Sequence, residues 1–452
     1  MRSRARTRRP PGWRAGAAFF LLLALTPVIP YLQFSSIGLA LNDFPPILAV
    51  GFGLYAVATR HRRGLPVRAS VVALVTAEIA LLAGASAAAA GLDFKDVLGG
   101  PVRWIETTLI IGLAFILGSD RSLRTLLLRV ATVIAAADAL FGIFAFITGF
   151  SVGAHYIGIE PFRSYDSLFG VFPGRIDGTL GLPASGAGAL FALALPVAAG
   201  YAIGAGADRK ARIRWSFATM TLAVALLFTF DRVSTALGFG LVVVLLGLRL
   251  RPQVAVTVGF VLLALVLGSP IRDRFLKDSN DRLALWTAAI KMIRGNLWFG
   301  VGPTKYEDAL PLYRNTPFGV AGTTAHNSVL EAAATLGLLA GVLLVVAIVI
   351  SLWWLPAALR VRESSPEVLA AWLALAGFAL TSLTVNFFFW PQLGLLYWVT
   401  ALALSRVSSD PASRRRPPAR STPSPALGTV DRRALVSAAG SHPSGSKVPP
   451  AC

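Results

Sequence analysis

The sequence has almost no cysteine and little charge. Its single cysteine is Cys452, so a disulfide framework or a cysteine-based metal site within one chain is excluded. Only 14% of the 452 residues are charged, whereas 55% are hydrophobic. Soluble globular domains carry roughly a quarter charged residues, so this composition argues against a soluble protein.

Motifs of several well-known enzyme classes are also missing. The chain has no H-E-x-x-H zinc motif and no Walker phosphate-binding loop. It also lacks the D-x-D pattern that can hold a metal-bound nucleotide sugar. These absences argue against a zinc peptidase and a P-loop nucleotidase, and we predict neither a metal nor a cofactor.

What the chain does contain is a series of apolar runs long enough to cross a bilayer. They predict an all-α polytopic membrane protein with about twelve transmembrane helices, because a helix satisfies its own backbone hydrogen bonds in lipid. The first run has the basic flank of a signal peptide, but its length and the lack of a clear cleavage site favour an uncleaved span. The predicted spans are 15–34, 43–59, 69–91, 103–118, 125–149, 183–206, 213–230, 233–249, 253–269, 332–354, 367–386 and 389–405.

Positive charge is concentrated in the tails and the short loops. Lys and Arg total 42 against 22 Asp and Glu, a net charge of +20, which alone would suggest a nucleic-acid partner. However, basic loops such as RHRRGLPVR (60–68) and ADRKARIR (207–214) all fall on one side when twelve spans are counted. The positive-inside rule makes that side the cytoplasm. We therefore predict a multi-pass protein of the cytoplasmic (inner) membrane with both termini inside and no nucleic-acid partner.

This topology predicts five consecutive parts. They are a basic cytoplasmic tail 1–14, nine spans over 15–269 with an outer loop 150–182, a long outer loop 270–331, three spans over 332–405, and a disordered cytoplasmic tail 406–452. The long outer loop carries more basic than acidic residues. Either long loops are translocated whatever their charge, or this loop forms a basic site for an anionic ligand. Its segment 282–298 has a helical period and is predicted to lie on the outer membrane surface.

His326 stands immediately before the tenth predicted span, on the predicted outer side. A histidine there can act as a general base or hydrogen-bond donor near neutral pH. It can equally be an ordinary residue at the start of a helix that Asn327 caps. Spacing alone leaves both interpretations open.

Arginines on the same predicted outer side favour a functional role for His326. Arg232 lies in the tight turn between two spans, where an arginine is costly to place; it either binds an anion, pairs with Asp231 or extends to the membrane surface. Arg175 and Arg282 lie in the two outer loops. Guanidinium groups suit phosphate oxygens, so their convergence with His326 predicts a lipid-linked phosphate or pyrophosphate as ligand.

Four segments resemble the O-antigen ligase/O-antigen polymerase superfamily. HNSVLEAAATLG (326–337) is similar to its His-Asn, nine residues, Gly signature, and RLALWTAAIKMIRGNLWFGVGPTKY (282–306) to its Arg-x-x-x-Trp segment followed by Gly-x-Gly. DRVSTALG (231–238) resembles its Ser-Arg-Gly turn, and GRIDGTLGLPASGAGAL (174–190) its Arg-x-x-Gly-Thr-x-x-x-Pro-Asn segment. The resemblance covers about residues 170–345.

The resemblance implies an inverting, metal-independent glycosyltransferase with a GT-C-like fold. Its donor would be a glycan on undecaprenyl pyrophosphate, and its acceptor a lipid, a glycan or a protein. Arg232 and Arg282 would hold the pyrophosphate and stabilise the leaving group, and His326 would orient or deprotonate the acceptor hydroxyl. The residues predicted to bind substrate are Arg175, Asn327, Trp286 and Tyr306.

Several activities share such a donor site. It is needed by a ligase, by a polymerase that extends carrier-linked repeats and by an oligosaccharyltransferase that acts on protein. Position 340 holds Ala340, where the family usually has Gly, Thr or Tyr, and this difference argues slightly against a strict lipopolysaccharide ligase. A flippase or secondary transporter of lipid-linked glycan would also have about twelve spans, but it predicts related halves and charges near the bilayer midplane. A non-catalytic scaffold would leave the convergence of Arg232, Arg282 and His326 unexplained.

Overall fold

The computed structural model describes residues 33–34, 39–40, 67–92, 104–105, 108–109, 121–148, 165–167, 170–172, 176, 184–269, 272, 280–303, 305–313, 324–353, 355–360, 365–389, 393–394, 396–397, 400–401 and 404. The chain divides into one unit over Met1–Ser408 and a second over Ser409–Cys452, and all of these residues lie in the first. The predicted tail 406–452 and most or all of the predicted spans 15–34, 43–59, 103–118 and 389–405 lie outside the described residues.

The described structure is helical apart from two short antiparallel hairpins. In the hairpins, Gln33 pairs with Ala40, and Tyr165 pairs with Phe172. The elements in chain order are β1 (Gln33–Phe34), β2 (Leu39–Ala40), α1 (Val67–Ala89), α2 (Arg121–Thr148), β3 (Tyr165–Ser167), β4 (Gly170–Phe172), α3 (Ala184–Gly204), α4 (Arg209–Phe228), α5 (Arg232–Arg249), α6 (Pro252–Gly268), α7 (Asn280–Gly295), α8 (Tyr306–Tyr313), α9 (Ser328–Leu336), α10 (Leu338–Leu352), α11 (Leu355–Arg360), α12 (Pro366–Thr381) and a 3₁₀ turn (Phe387–Phe389).

The long helices are membrane helices by length and composition. Helices α1 to α5 each contain a stretch of 18 to 24 residues that is long and apolar enough to cross a bilayer, and α6, α10 and α12 are shorter apolar helices. Large side chains such as Leu81 and Phe260, each 68% exposed, point away from the packed interior. Lipid removes that exposed apolar surface from water, and the chain is therefore an integral, polytopic membrane protein.

Helix α3 lies at the centre of the bundle, where it packs against α4, α5 and α12. Nearly every residue from Gly186 to Tyr201 is buried, which is why its sequence is apolar all round rather than on one stripe. A Cβ on Gly200 would lie 2.8 Å from the Cβ of Ala370. The absent side chain lets α3 and α12 approach closely, as small residues commonly do in membrane bundles.

The predicted continuous span 332–354 is wrong in one respect, because the helix is broken at Gly337. Helix α9 ends at Leu336 and α10 begins at Leu338, with Gly337 at a φ of +99° between them. The apolar composition of the segment is continuous, so periodicity cannot reveal a break that depends on one glycine's backbone angle.

The predicted helix at 282–298 forms as α7 and ends at Gly295. Its buried residues pack in a small cluster with Tyr306 and Leu310 of α8 and with α9; from α7 these are Leu285, Ala288, Ala289 and Met292. On the same helix, the apolar side chains of Leu283 and Ile290 are exposed, at 55% and 41%. Helix α7 therefore presents one face to the protein and leaves a second apolar face uncovered by it.

Candidate active site

A tight polar turn between α4 and α5 holds Arg232. Asp231 caps α5 by accepting hydrogen bonds from the backbone N–H and the hydroxyl of Ser234, and its own N–H donates to Thr229 Oγ1 at 3.3 Å. Thr229, Asp231 and Ser234 are buried. The preceding Phe230 has a φ of +50°, a left-handed conformation that non-glycine residues seldom adopt. The turn thereby fixes Arg232 as the first residue of α5.

Arg282 lies in the first turn of α7 and is half-buried. Burial lowers its pKa, the neighbouring Arg232 lowers it further, and Asp231 acts in the opposite direction. Two guanidinium groups are thus within electrostatic range of each other, with one carboxylate beside them. The two positive charges repel each other. A ligand with several anionic oxygens placed between them would be attracted to both guanidinium groups.

His326 lies in the turn that leads into α9 and is half-buried. Burial lowers the pKa of its imidazole below the usual 6.5, and the nearby positive charge of Arg282 lowers it further. The imidazole is therefore mostly neutral at pH 7, the form that can accept a proton. Its φ of +49° is a strained backbone conformation of the kind that clusters at functional sites.

The two arginines and the histidine come from three separate elements of the structure. Arg282 is within electrostatic range of both Arg232 and His326, although the three are separated by many residues in the chain. The arrangement combines two permanent cations with a neutral proton acceptor. It is suited to binding a phosphate-type anion while removing a proton from a neighbouring hydroxyl.

Trp286 lies one helical turn after Arg282 on α7, so the two side chains point to the same side of the helix. Its indole Nε1 is buried and has no hydrogen-bond partner among the residues that the structure describes. A buried N–H without a partner is costly. Trp286 therefore places a buried N–H donor one turn along the helix from Arg282.

Asn327 and Tyr306, which were also predicted to bind substrate, make hydrogen bonds within the protein. Asn327 caps α9 through its Oδ1, which accepts from Val329 and Leu330 at 3.0 Å, and its Nδ2 donates to the carbonyl of Leu383 at 2.8 Å. Tyr306 is 2% exposed, and its hydroxyl donates to the carbonyl of Leu285 at 3.0 Å. Both side chains are thus engaged by the protein itself. Arg175 lies outside the described residues.

The described part of the chain contains no group of three or more His, Cys, Asp and Glu side chains that could hold a metal ion. Asp231, in the turn of Arg232, caps α5 and lies within electrostatic range of Arg282. A second acidic residue, Glu331, is buried in α9. The cationic side chains are therefore the charged groups that this site presents to an anion.

Backbone hydrogen bonds hold the segment after α7 against the break between α9 and α10, and glycines permit this close approach. The N–H groups of Val301 and Gly302 donate to the carbonyls of Ala334 and Thr335, at 2.9 and 3.0 Å, and Leu338 donates to Leu297 at 2.9 Å. Gly300 (φ +64°) and Gly302 (φ +109°) both have left-handed backbones. A Cβ on Gly300 would lie 2.6 Å from the Ala334 carbonyl oxygen. This backbone clasp ties the helix that carries Arg282 to the helix that begins beside His326.

Substitution of Gly337 by alanine should therefore destabilise the protein by about 3 kcal/mol or more. The new Cβ would overlap the carbonyl of Trp298, and the φ of +99° disfavours any side chain. Thermal unfolding in detergent, together with the amount of folded protein in membranes, measures the effect. Gly240→Ala is the matched control because a Cβ there meets nothing within 4 Å; equal stability of both variants would contradict the clasp.

One side chain in this region was missed by sequence reasoning. Glu331 is 6% exposed, and its Oε2 accepts a hydrogen bond from the N–H of Ala325 at 2.5 Å. Burial raises its pKa to about 7, and the bond from Ala325 opposes that rise. One feature of the sequence could have indicated Glu331. It is a single acid in an otherwise apolar helix, four residues after the capping Asn327.

The part of the chain that carries this site is similar to a known family. No curated protein matches the chain. Residues 178–345, which include Arg232, Arg282 and His326, match the model of a family described as O-Antigen ligase. Over these residues the chain is similar to the O-antigen ligase/polymerase superfamily, and the match supports a membrane enzyme of the glycan ligase or polymerase type.

Proposed function

We propose that the protein transfers a glycan from an undecaprenyl-pyrophosphate carrier to an acceptor at the outer face of the cytoplasmic membrane, as an inverting, metal-independent glycosyltransferase. The observation that carries the proposal is the grouping of Arg282 with Arg232 and His326. A pyrophosphate ester is an activated leaving group, and two guanidinium groups supply the counter-charge that a metal ion supplies in other enzymes.

In the proposed reaction the acceptor hydroxyl oxygen attacks the anomeric carbon of the donor sugar. The bond from that carbon to the pyrophosphate oxygen breaks, and the electron pair leaves with the carrier pyrophosphate. Arg232 and Arg282 stabilise the charge that develops there, and the Trp286 N–H is positioned to donate to one of its oxygens. His326 takes the proton of the acceptor hydroxyl. Attack from the side opposite the leaving group inverts the anomeric configuration.

Secondary substrate contacts are proposed for Arg175, Asn327 and Tyr306. Arg175 would add a third cation for the pyrophosphate. Because Asn327 and Tyr306 make hydrogen bonds within the protein, their contribution is proposed as support of the walls around the donor. A GT-C-like frame of twelve spans would open this site to the bilayer, from which a lipid-linked donor enters.

The membrane orientation has its own test. A reporter fused after Leu250 should be cytoplasmic, and a reporter near Asn315 should be external, because the positive-inside rule places the short basic loops in the cytoplasm. Paired phosphatase and fluorescent-protein fusions measure this directly. The reverse result at both positions would place the candidate site inside and contradict the proposed reaction at the outer face.

The reaction itself is tested with purified protein in lipid and an undecaprenyl-pyrophosphate-linked repeat, by identifying what the glycan is attached to afterwards. Transfer to a supplied lipid acceptor supports a ligase, and transfer to protein supports an oligosaccharyltransferase. Longer glycans still on the carrier support a polymerase. Movement of intact donor across the bilayer without any transfer would contradict the proposal and favour a flippase.

A further inference from the structure

The turn Thr324–Asn327 is held on both sides of His326 by side chains. After His326, Asn327 Oδ1 caps α9. Before His326, the N–H of Ala325 donates to Glu331 Oε2 at 2.5 Å. Within the described residues, the His326 N–H donates to Thr324 Oγ1 at 3.4 Å. The strained φ of +49° at His326 is thus maintained by the hydrogen bonds of its neighbours.

Glu331 is unusually placed for a carboxyl group. It lies on a face of α9 formed by buried small and apolar residues and is itself 6% exposed. Burying a carboxyl group is costly unless hydrogen bonds compensate. Among the described residues, the hydrogen bond to this carboxyl group comes from the turn that contains His326.

Glu331 also faces the cluster that supports α7. It is close enough to Tyr306 to raise the pKa of that phenol, after the larger effect of burial. Tyr306 in turn donates its hydroxyl to the carbonyl of Leu285, on the helix that carries Arg282. Glu331 therefore lies between the backbone of the histidine turn and the packing that positions the arginine.

We propose that Glu331 is a positioning residue for His326: its carboxyl group holds the Ala325 N–H and thereby keeps the left-handed backbone that places the imidazole beside Arg282. The role in transfer rests on the proposed function, whereas the role in placing His326 does not. Glu331 takes no part in bond making and acts through the histidine turn alone.

Three substitutions separate this role from simple stabilisation. Glu331→Gln keeps an acceptor oxygen for Ala325, and Glu331→Leu removes it at similar volume. Glu331→Asp keeps the carboxyl group but withdraws it by one methylene. Thr335→Val is the matched control. Thr335 is also buried in α9, and its hydroxyl donates to the carbonyl of Glu331 at 2.6 Å rather than to the histidine turn.

The first readout is independent of activity. The chain has four histidines, so replacing His61, His155 and His442 leaves His326 as the single histidine. Its imidazole signals in isotopically labelled protein in nanodiscs should coincide for the parent, Glu331→Gln and Thr335→Val. They should move in Glu331→Asp and move or broaden further in Glu331→Leu. Unmoved signals in both of the latter variants would overturn the proposal.

The second readout is the split between kcat and KM. Misplacing a catalytic group by about 1 Å can cost roughly 100-fold in rate, so Glu331→Leu should lower kcat by about 10- to 100-fold. Its KM for the donor should change by less than about threefold, because ground-state binding is retained. A kcat equal to that of the parent would overturn the role in transfer. A parent protein without any transfer would contradict the proposed function, while the histidine signals would still decide the positioning.

Discussion

Substitution of Arg282 by alanine should lower the rate of glycan transfer by about 10²- to 10³-fold, the usual effect of removing one donor that stabilises developing negative charge. Arg282 is the group that lies within electrostatic range of both Arg232 and His326. Its loss leaves a single guanidinium from this pair for a leaving group with several oxygens. The measurement is the initial rate of transfer from a lipid-linked donor, at equal amounts of folded protein.

Arg294→Ala is the matched control for Arg282→Ala. Arg294 lies in the last turn of the same helix and is exposed, so its loss should leave the rate unchanged within about twofold. Arg282→Lys separates charge from geometry. Lysine keeps the charge but cannot offer the planar fork of donors, so it should recover only part of the activity. A rate equal to that of the parent in Arg282→Ala would contradict the assignment of the site.

Substitution of His326 by alanine should lower kcat by about 10²- to 10⁴-fold, the range expected for a general base. The pH dependence of the activity tests the role of His326 as the base. Because burial and Arg282 lower the imidazole pKa below 6.5, the neutral base persists at and below pH 6.5. Activity should fall only as the pH drops through that lowered pKa and the imidazole gains a proton.

The sign of the electrostatic effect can be measured directly. In protein whose single histidine is His326, an NMR titration should give a pKa below 6.5, and Arg282→Gln should raise it, because the neutral side chain no longer opposes protonation. His61→Ala, in a predicted cytoplasmic loop, is the control for rate and should leave kcat unchanged. An imidazole pKa that does not respond to Arg282→Gln would show that the two side chains are not neighbours.

Much of the helical frame follows from composition. The predicted spans 69–91, 183–206 and 233–249 are helices because long apolar runs in lipid can satisfy their backbone only internally. Arg282 lies within electrostatic range of Arg232 and of His326, and their joint role at one site stays a prediction. A charged side chain inside or beside an apolar run is rare enough to stand out in a sequence.

Other features depend on contacts between residues far apart in the chain. The break at Gly337 requires the carbonyl of Trp298 close to its α-carbon. Tyr306 carries a polar group and was predicted to bind substrate, yet its hydroxyl bonds to the Leu285 carbonyl in a buried cluster. Neither fact can be read from a local pattern, because each is decided by which backbone lies opposite.

By itself, then, the sequence determined that this is a polytopic membrane protein with cations and a histidine placed at the ends of apolar runs. Its few charges and long hydrophobic segments leave no other low-energy arrangement for most of the chain. Only the tertiary structure decided how the histidine turn is held, with Glu331 on Ala325 and Asn327 on α9. The reason is that a buried polar group must find its hydrogen-bond partner in three dimensions, and the identity of that partner is set by the fold.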